Sequence, residues 1–194
     1  MTANELSSFM NLALRFLLSE KVTQRLNQHV LLPYASWFSH QRTVDALFRE
    51  VCFPDALPRL SGDLELAECD FLSLQAPAAL RTDMPPGYDF VVTLFFIDTS
   101  LNIIETLEHI HRLLKPGGTW INLGPLLWTG GGQASLELSL EEVLRLASIV
   151  GFEIAAETAG PRRRRTVECE YTADRTAMMR WLYQAEFWVA TKVR

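Results

Sequence analysis

The chain has 194 residues, of which 48% are hydrophobic and 21% are charged, and its formal net charge is −5. This composition predicts one globular domain over residues 1–194 and argues against a disordered chain, a collagen-like repeat or a disulfide-rich miniprotein. The acidic balance gives no general attraction for phosphate backbones, which argues against nucleic-acid binding.

The sequence shows no recognisable membrane span or secretory signal, and its cysteines are scattered. These features predict a cytoplasmic protein, with the nucleus as the alternative. We find no run of about 18 uncharged apolar residues that would predict a membrane span. The N-terminus carries Glu5 and lacks the early basic cluster of a secretory signal. Three scattered cysteines without a CxxC spacing indicate reduced thiols rather than a metal site or a disulfide framework. We therefore expect a soluble protein that does not contact membranes.

The N-terminal third predicts few regular elements. Apolar residues at helical spacing predict a helix over about residues 5–19, with Asn4 as its cap. Residues 28–62 contain three prolines and are predicted to be irregular, apart from two or three helical turns within 43–51. Alternating residues over 64–69 predict a short strand that ends at Asp70.

The central part predicts a strand, a helix and a second strand. An almost unbroken apolar run over residues 88–97 follows a proline-rich loop and is typical of a strand buried on both faces. Asp98 stands at its carboxyl end. A helix is predicted over 100–115, which Lys115-Pro116-Gly117-Gly118 would end, and a strand over 119–124.

The C-terminal part predicts a capped helix between further strands. Ser139 and Glu142 have the spacing of a capping box for a helix over 140–150 that Gly151 closes. A strand over 152–157, a helical turn around 173–182 and a strand over 184–191 are predicted to follow.

This alternation predicts an α/β fold with a mostly parallel sheet and helices on both faces. In such sheets ligands bind outside the carboxyl ends of the strands. By that rule Asp70 and Asp98 are the acids expected to lie nearest a ligand.

Several motifs resemble the carnosine N-methyltransferase family, also called N2227-like, among the class I S-adenosylmethionine-dependent methyltransferases. They run in order along nearly the whole chain. They are Asn4-Glu5-Leu6-Ser7-Ser8-Phe9-Met10, Phe53-Pro54-Asp55, Asp70-Phe71, Phe95-Phe96-Ile97-Asp98-Thr99, Lys115-Pro116-Gly117-Gly118, Trp120-Ile121-Asn122-Leu123-Gly124-Pro125-Leu126-Leu127, Tyr171-Thr172 and Met178-Met179.

The resemblance implies a cofactor site for S-adenosylmethionine. Glu5 would accept hydrogen bonds from the ribose hydroxyls, Asp70 and Phe71 would lie beside the adenine, and Leu94 belongs to the same set. Without the resemblance, Glu5 is equally well explained as an acid at a helix N-terminus. Asp70 would then be a turn acid, and Phe71 a core aromatic.

The resemblance also implies two residues that act on the substrate. Asp98 would orient an amine or imidazole and stabilise the cation that methyl transfer creates, and Tyr183 would lie near the substrate. A turn or cap role for Asp98 and a core position for Tyr183 are the structural alternatives.

The sequence departs from the family pattern at three places. It lacks the first strand and glycine-rich turn of class I methyltransferases, and Gly130–Gly132 follows the wrong strand to replace them. Thr129 stands where the family has a histidine. The run Arg162–Arg165 has no family counterpart and is interpreted as a solvated hairpin turn.

These observations predict a Rossmann-like class I methyltransferase sheet that is N-terminally truncated, with the first two strands absent. Residues 90–97 would then form an apolar edge strand, which we expect a homodimer or a partner chain to cover. Three functions stay open. They are methyl transfer to a small amine, imidazole or other nucleophile, a catalytically inactive protein that works through chain pairing, and recruitment of the fold for another small-molecule reaction.

Overall fold

The computed structural model describes residues 1–36, 39–57, 63–79, 83–128, 134–156, 160, 164–171 and 174–194. The chain divides into two compact units. The first contains Met1–Leu74 and Thr172–Trp181, and the second contains Gln75–Tyr171 and Leu182–Arg194. Each unit is described by itself, and the organisation of residues 1–194 as one domain stays a prediction. Within the described residues, no helix has the length and apolar character needed to cross a membrane.

The described residues of the first unit form two small sheets and two α-helices. Strand β1 (Thr2–Asn4) pairs in parallel with β4 (Glu65–Ala67), and β2 (His29–Leu31) pairs antiparallel with β3 (Val51–Phe53). The helices are α1 (Ser8–Leu18) and α2 (Val44–Leu47). The prediction that residues 28–62 are irregular is therefore wrong at β2 and β3. Strands of three residues are too short to show an alternating pattern.

Helix α1 begins later than predicted because its cap is Ser7 rather than Asn4. The Ser7 hydroxyl accepts the Met10 N–H at 3.4 Å. Asn4 belongs to β1, where its side-chain amide donates to the carbonyls of Ala67 at 3.1 Å and Cys69 at 2.9 Å. The sequence predicted no strand ahead of α1, and β1 corrects that expectation. The absence of two N-terminal strands stays a prediction.

The second unit is built on one mixed sheet. Its strands and helices, in chain order, are β5 (Tyr88–Leu94), α3 (Ile103–Leu113), β6 (Leu114–Gly124), α4 (Leu140–Val150), β7 (Phe152–Ile154), β8 (Arg165–Tyr171) and β9 (Trp181–Lys192). The strand order is β5-β6-β9-β7, and β8 pairs with β9.

The α/β class is confirmed, but the prediction of a mostly parallel sheet is wrong. Strands β5 and β6 run parallel, whereas β9 pairs antiparallel with both β6 and β7. The predicted helical turn around 173–182 is also wrong where the structure describes it, because β9 begins at Trp181.

The core of the second unit lies on one face of this sheet. Helix α3 packs against β5, β6 and α4, and α4 packs against β7. Beneath the helices, the Trp120 ring meets the rings of Trp188 at 5.4 Å and Phe152 at 5.3 Å. Both tryptophans are at most 1% exposed. The two helices therefore share a face, and the prediction of helices on both faces is wrong for this described part of the chain.

Strand β5 lies at the end of the strand order, and among the described strands it pairs only with β6. Its outward residues Phe90, Val92 and Leu94 are 64%, 66% and 63% exposed. The prediction of a strand buried on both faces is therefore wrong. The prediction of an apolar edge strand here, made from the departure of the sequence from the family pattern, is confirmed.

Candidate functional site

Asp98 lies in a buried turn immediately after β5. The chain leaves the sheet at Phe95, forms a short 3₁₀ turn over Ile97–Thr99, and leaves Asp98 only 5% exposed. The Asp98 Oδ2 accepts a hydrogen bond of 2.9 Å from the backbone N–H of Leu127, which follows β6. A single carboxylate thus joins the carboxyl ends of two neighbouring parallel strands. The sequence predicted this position for Asp98, and its role towards a ligand stays a prediction.

Burial is the main influence on this carboxyl group. It raises the pKa of Asp98, and the N–H groups of Leu127 and of Asp98 itself oppose that rise only in part. A carboxylate held in such surroundings interacts more strongly with a nearby cation than one in water does. The site can therefore orient a basic nitrogen and stabilise positive charge on it.

Tyr183 lies close to the same turn. It is half-buried on β9, and its ring meets the Phe95 ring edge-on at 5.6 Å. On its other side it meets Tyr171 of β8, also at 5.6 Å. Both predicted substrate residues thus lie in the second unit, and Phe95, which leads into the turn of Asp98, contacts the ring of Tyr183.

Leu94 is the last residue of β5 and is 63% exposed. It lies opposite Leu123 of β6, directly before the change of direction at Phe95. Its side chain is therefore open to solvent at the carboxyl end of the parallel strand pair.

Glu5 and Asp70 follow the ends of the other parallel pair, in the first unit. The Glu5 N–H donates to the carbonyl of Ala67 at 3.1 Å, and its Oε1 accepts the N–H of Ser7 at 2.6 Å. Asp70 Oδ1 accepts the Leu72 N–H at 2.8 Å. The side chain of Asn4, which donates to the carbonyls of Ala67 and Cys69, ties the two segments together.

Both acids have structural roles as well as exposed carboxylates. Glu5 supports the turn into α1, and Asp70 caps the 3₁₀ turn over Phe71–Ser73, which matches the structural alternatives raised for them. Each uses one oxygen in the contacts given above. Because both acids are exposed at the carboxyl ends of β1 and β4, they fit a ligand that presents several O–H and N–H donors.

Three predicted features fall wholly or partly outside the described residues: Thr129, the glycine run 130–132, and Arg162 with Arg163. Arg165 is described and lies in β8 rather than in a turn, with its guanidinium 4.2 Å from the centre of the Phe187 ring. The interpretation of that run as a hairpin turn is therefore wrong at Arg165.

Sequence reasoning missed two contributors to the site. The first is the backbone N–H of Leu127, for which no side-chain pattern could have been a signal. The second is a buried polar link between β5 and β6, the strands that lead to the site. In it Trp120 Nε1 donates to Thr93 Oγ1, and Thr93 Oγ1 donates to Asn122 Oδ1, both at 2.8 Å. Thr93 and Asn122 interrupt otherwise apolar strands, and that interruption was the available signal.

Comparisons with known proteins agree on one family. A sequence model described as Carnosine N-methyltransferase matches residues 1–194. A carnosine N-methyltransferase from Schizosaccharomyces pombe is 32% identical over 202 residues, covering 96% of this chain and 51% of the relative. A carnosine N-methyltransferase from Drosophila melanogaster is 33% identical over 195 residues, and the alignment covers 97% of this chain and 40% of the relative. The chain thus spans about half, or less, of the curated relatives it matches.

A solved structure shows a related fold. A SAM-dependent methyltransferase from Methanosarcina mazei superposes with a TM-score of 0.53 at 15% sequence identity, covering 99% of this chain and 81% of that one. At this identity the likeness concerns the fold alone.

Proposed function

Because the chain belongs to the carnosine N-methyltransferase family, we propose that it takes part in S-adenosylmethionine-dependent methyl transfer to a small nucleophile of the amine or imidazole type. The observation that carries this proposal is the family match over residues 1–194. The buried carboxylate at the end of a parallel strand pair supports it, since class I methyl transfer needs a positioned acceptor more than an acid or a base.

We assign cofactor binding to Glu5, Asp70 and Phe71 of the first unit. S-adenosylmethionine, when bound, supplies an electrophilic methyl group. The Glu5 carboxylate would accept from the vicinal ribose hydroxyls with the lone pairs that Ser7 does not use. Asp70 would accept from the exocyclic amine of the adenine, with Phe71 beside the ring.

We assign acceptor binding to Asp98 and Tyr183. Asp98 would accept a hydrogen bond from an N–H of the acceptor and so orient the lone pair of the acceptor nitrogen away from the carboxylate. It would also stabilise the cation that forms as this nitrogen is methylated. Tyr183, held between Phe95 and Tyr171, would form a wall of the acceptor site. Positioning of this kind lowers the barrier because the reacting atoms meet in the required geometry.

Calorimetric titration of the full chain with S-adenosylmethionine and S-adenosylhomocysteine tests the cofactor assignment. We expect affinity in the micromolar range for wild type and at least about tenfold weaker binding for Asp70→Asn, which removes one charge-assisted hydrogen bond. Asp63→Asn, an exposed acid close to the other end of β4, is the matched control and should bind like wild type. Absence of heat at millimolar ligand would refute cofactor binding by this chain.

A second candidate function is that of a catalytically inactive protein that works through chain pairing. The exposed edge of β5 favours it, since an apolar strand with an unpaired side is a template for another strand. We propose that residues 90–97 pair with a second copy in a homodimer, a partner chain being the alternative. Light scattering with hydrogen exchange separates the cases. A stable monomer with slow exchange along β5 would refute both.

We further propose a cytoplasmic setting. Its support is that Cys52, Cys69 and Cys169 are all free thiols, as is usual in a reducing compartment. Fluorescence microscopy of the tagged chain tests this, and a signal confined to the secretory pathway would contradict it.

A further inference from the structure

The backbone at the end of β5 has an unusual conformation. Phe95 has φ +48°, in the left-handed region that a bulky side chain rarely occupies. Its N–H nevertheless donates to the carbonyl of Leu123 at 2.7 Å, so the sheet pairing reaches this residue before the chain turns away. Such conformations persist only where the surroundings hold them in place.

Gly124 makes this turn possible. It is the last residue of β6, and a Cβ built on it would lie 3.1 Å from the Cα and 3.2 Å from the backbone N of Phe95. Both neighbours are backbone atoms, so they cannot move aside as the end of a flexible side chain could. A side chain at position 124 would therefore push the Phe95 backbone outward, and Asp98 follows only three residues later.

The Phe95 side chain has a separate role. Its ring lies against Tyr183, with centroids 5.6 Å apart and planes at 75°, an arrangement that aromatic pairs prefer. The backbone of Phe95 thus leads into the turn of Asp98, while its ring contacts the other proposed acceptor residue.

We propose that Phe95 and Gly124 are positioning residues that align Asp98 and Tyr183 with each other. This inference rests on the proposed function for its catalytic meaning. Gly124 sets the backbone path that brings the Asp98 carboxylate to the Leu127 N–H, and the Phe95 ring fixes the side on which Tyr183 stands. Neither residue needs to touch the acceptor or the cofactor.

The backbone role is tested with Gly124→Ala in the full chain, without any ligand. Amide exchange of Leu127 reports the hydrogen bond to Asp98, and carbon NMR of the labelled carboxyl reports the titration of Asp98. We expect Leu127 exchange to become at least about tenfold faster, as when one hydrogen bond of moderate strength is lost. The pKa of Asp98 should rise further, because the lost N–H favoured the charged form.

The ring role is tested with Phe95→Leu, which keeps the β5 chain path and removes the aromatic contact. We expect the ring resonances of Tyr183 to shift while Leu127 exchange stays within about twofold of wild type, because the hydrogen bond and its energy are unchanged. Phe48→Leu, which removes an exposed phenylalanine ring from the first unit, should alter neither signal.

These measurements separate this inference from the proposed activity, since none of them requires cofactor binding or turnover. Unchanged Leu127 exchange and Asp98 titration in a folded Gly124→Ala variant would refute the backbone role. Unchanged Tyr183 resonances in Phe95→Leu would refute the ring role. If Gly124→Ala does not fold, Phe95→Leu alone decides. If Phe95→Leu shifts the Tyr183 resonances and also accelerates Leu127 exchange at least about tenfold, the site has loosened generally and the inference is overturned.

Discussion

Burial of the Asp98 carboxyl group carries a cost in stability when that group is ionised. Its pKa in the folded state is raised by burial, so the folded state holds the proton more tightly than the unfolded state does. The associated stability is present below the ordinary pKa of 3.8 and is lost as the pH rises through the folded value. Above its folded-state pKa the ionised carboxylate therefore destabilises the second unit.

Asp98→Asn is expected to lower turnover by about a hundredfold, as for the loss of one stabilising group in a buried site. It should leave cofactor affinity nearly unchanged. Asp70→Ala should instead weaken cofactor binding and leave turnover at saturating cofactor nearly unchanged. Steady-state kinetics and calorimetry measure the two effects. Turnover at the wild-type rate would show that Asp98 has only a structural role.

The same Asp98→Asn variant should melt at or above the wild-type temperature at pH 7. An amide is cheaper to bury than an ionised carboxylate, and its oxygen still accepts the Leu127 N–H. The difference should shrink as the pH falls through the folded-state pKa of Asp98, which lies above 3.8, because the wild-type carboxyl then becomes neutral. Thermal melts across this pH range measure it, and a lower melting temperature for the variant at pH 7 would contradict the assignment.

Asp174 in the first unit behaves in the opposite way. It is 9% exposed and forms an ion pair of 2.5 Å with Arg49, while Gln41 and Thr176 also donate to it. Burial opposes its charge, but these donors hold the pKa of Asp174 well below 3.8. Its stabilisation is therefore present above the ordinary pKa and lost as the pH falls through the folded value.

Asp174→Asn should cost about 2 kcal/mol of unfolding free energy at pH 7, because it leaves a partly buried guanidinium without its counter-charge. The loss should fade below pH 3.8. Urea unfolding at several pH values measures it. The control is Glu68→Gln, which breaks the more exposed pair with Arg15 and should cost at most about 1 kcal/mol. Equal costs for the two variants would show that burial does not strengthen the Asp174 pair.

At the level of elements, α4 shows how local sequence decides a boundary. The Ser139 hydroxyl accepts the Glu142 N–H at 3.4 Å, and Glu142 accepts the Ser139 N–H at 2.8 Å. Ser139→Ala should therefore lower the melting temperature by a few degrees. Ser148→Ala in the same helix should raise it slightly, since alanine is the better residue in a helix interior. A change of the same sign for both would show that the cap contributes nothing.

The helices could be predicted from the sequence because their signals are local. The capping box of α4 and the closing Gly151, with φ +122°, are both confirmed, and α3 lies within its predicted range. Strands β2 and β3 were missed because each has only three residues. Strand β8 was also missed, although it pairs with the long strand β9. Where Lys115-Pro116-Gly117-Gly118 was expected to form a stop, β6 begins directly at Leu114, since pairing with Tyr88 extends the strand.

The candidate site divides in the same way. The position of Asp98 at the carboxyl end of a strand could be predicted, because the apolar run that precedes it is visible in the sequence. Ligands bind outside such strand ends in α/β sheets. The Leu127 N–H and the left-handed Phe95 could not, because each depends on how two strand ends meet in space. The roles of all six predicted site residues stay predictions.

For the molecule as a whole, the proposed homodimer depends on the exposed edge of β5. Val92→Lys places a charge at the centre of this edge, where it should block the addition of another strand. We expect light scattering to show a lower mass than for wild type, with the melting temperature of the monomer unchanged. Val44→Lys on α2, at a valine of 68% exposure, should keep the wild-type mass. An unchanged mass for Val92→Lys would mean that the copies meet elsewhere.

The position of β9 has a consequence for how the protein is made. It is the last strand along the described sequence, yet it lies between β6 and β7 and supplies Trp188 to the aromatic core. A ribosome therefore delivers β6, α4 and β7 before the strand that joins them exists. Until Trp188 has been synthesised, the Trp120 ring lacks its contact with it, and the sheet has no strand between β6 and β7. The second unit is thus expected to fold only after nearly all of it has been synthesised, and nascent chains would depend on chaperones to shield the rings of Trp120 and Phe152 until then.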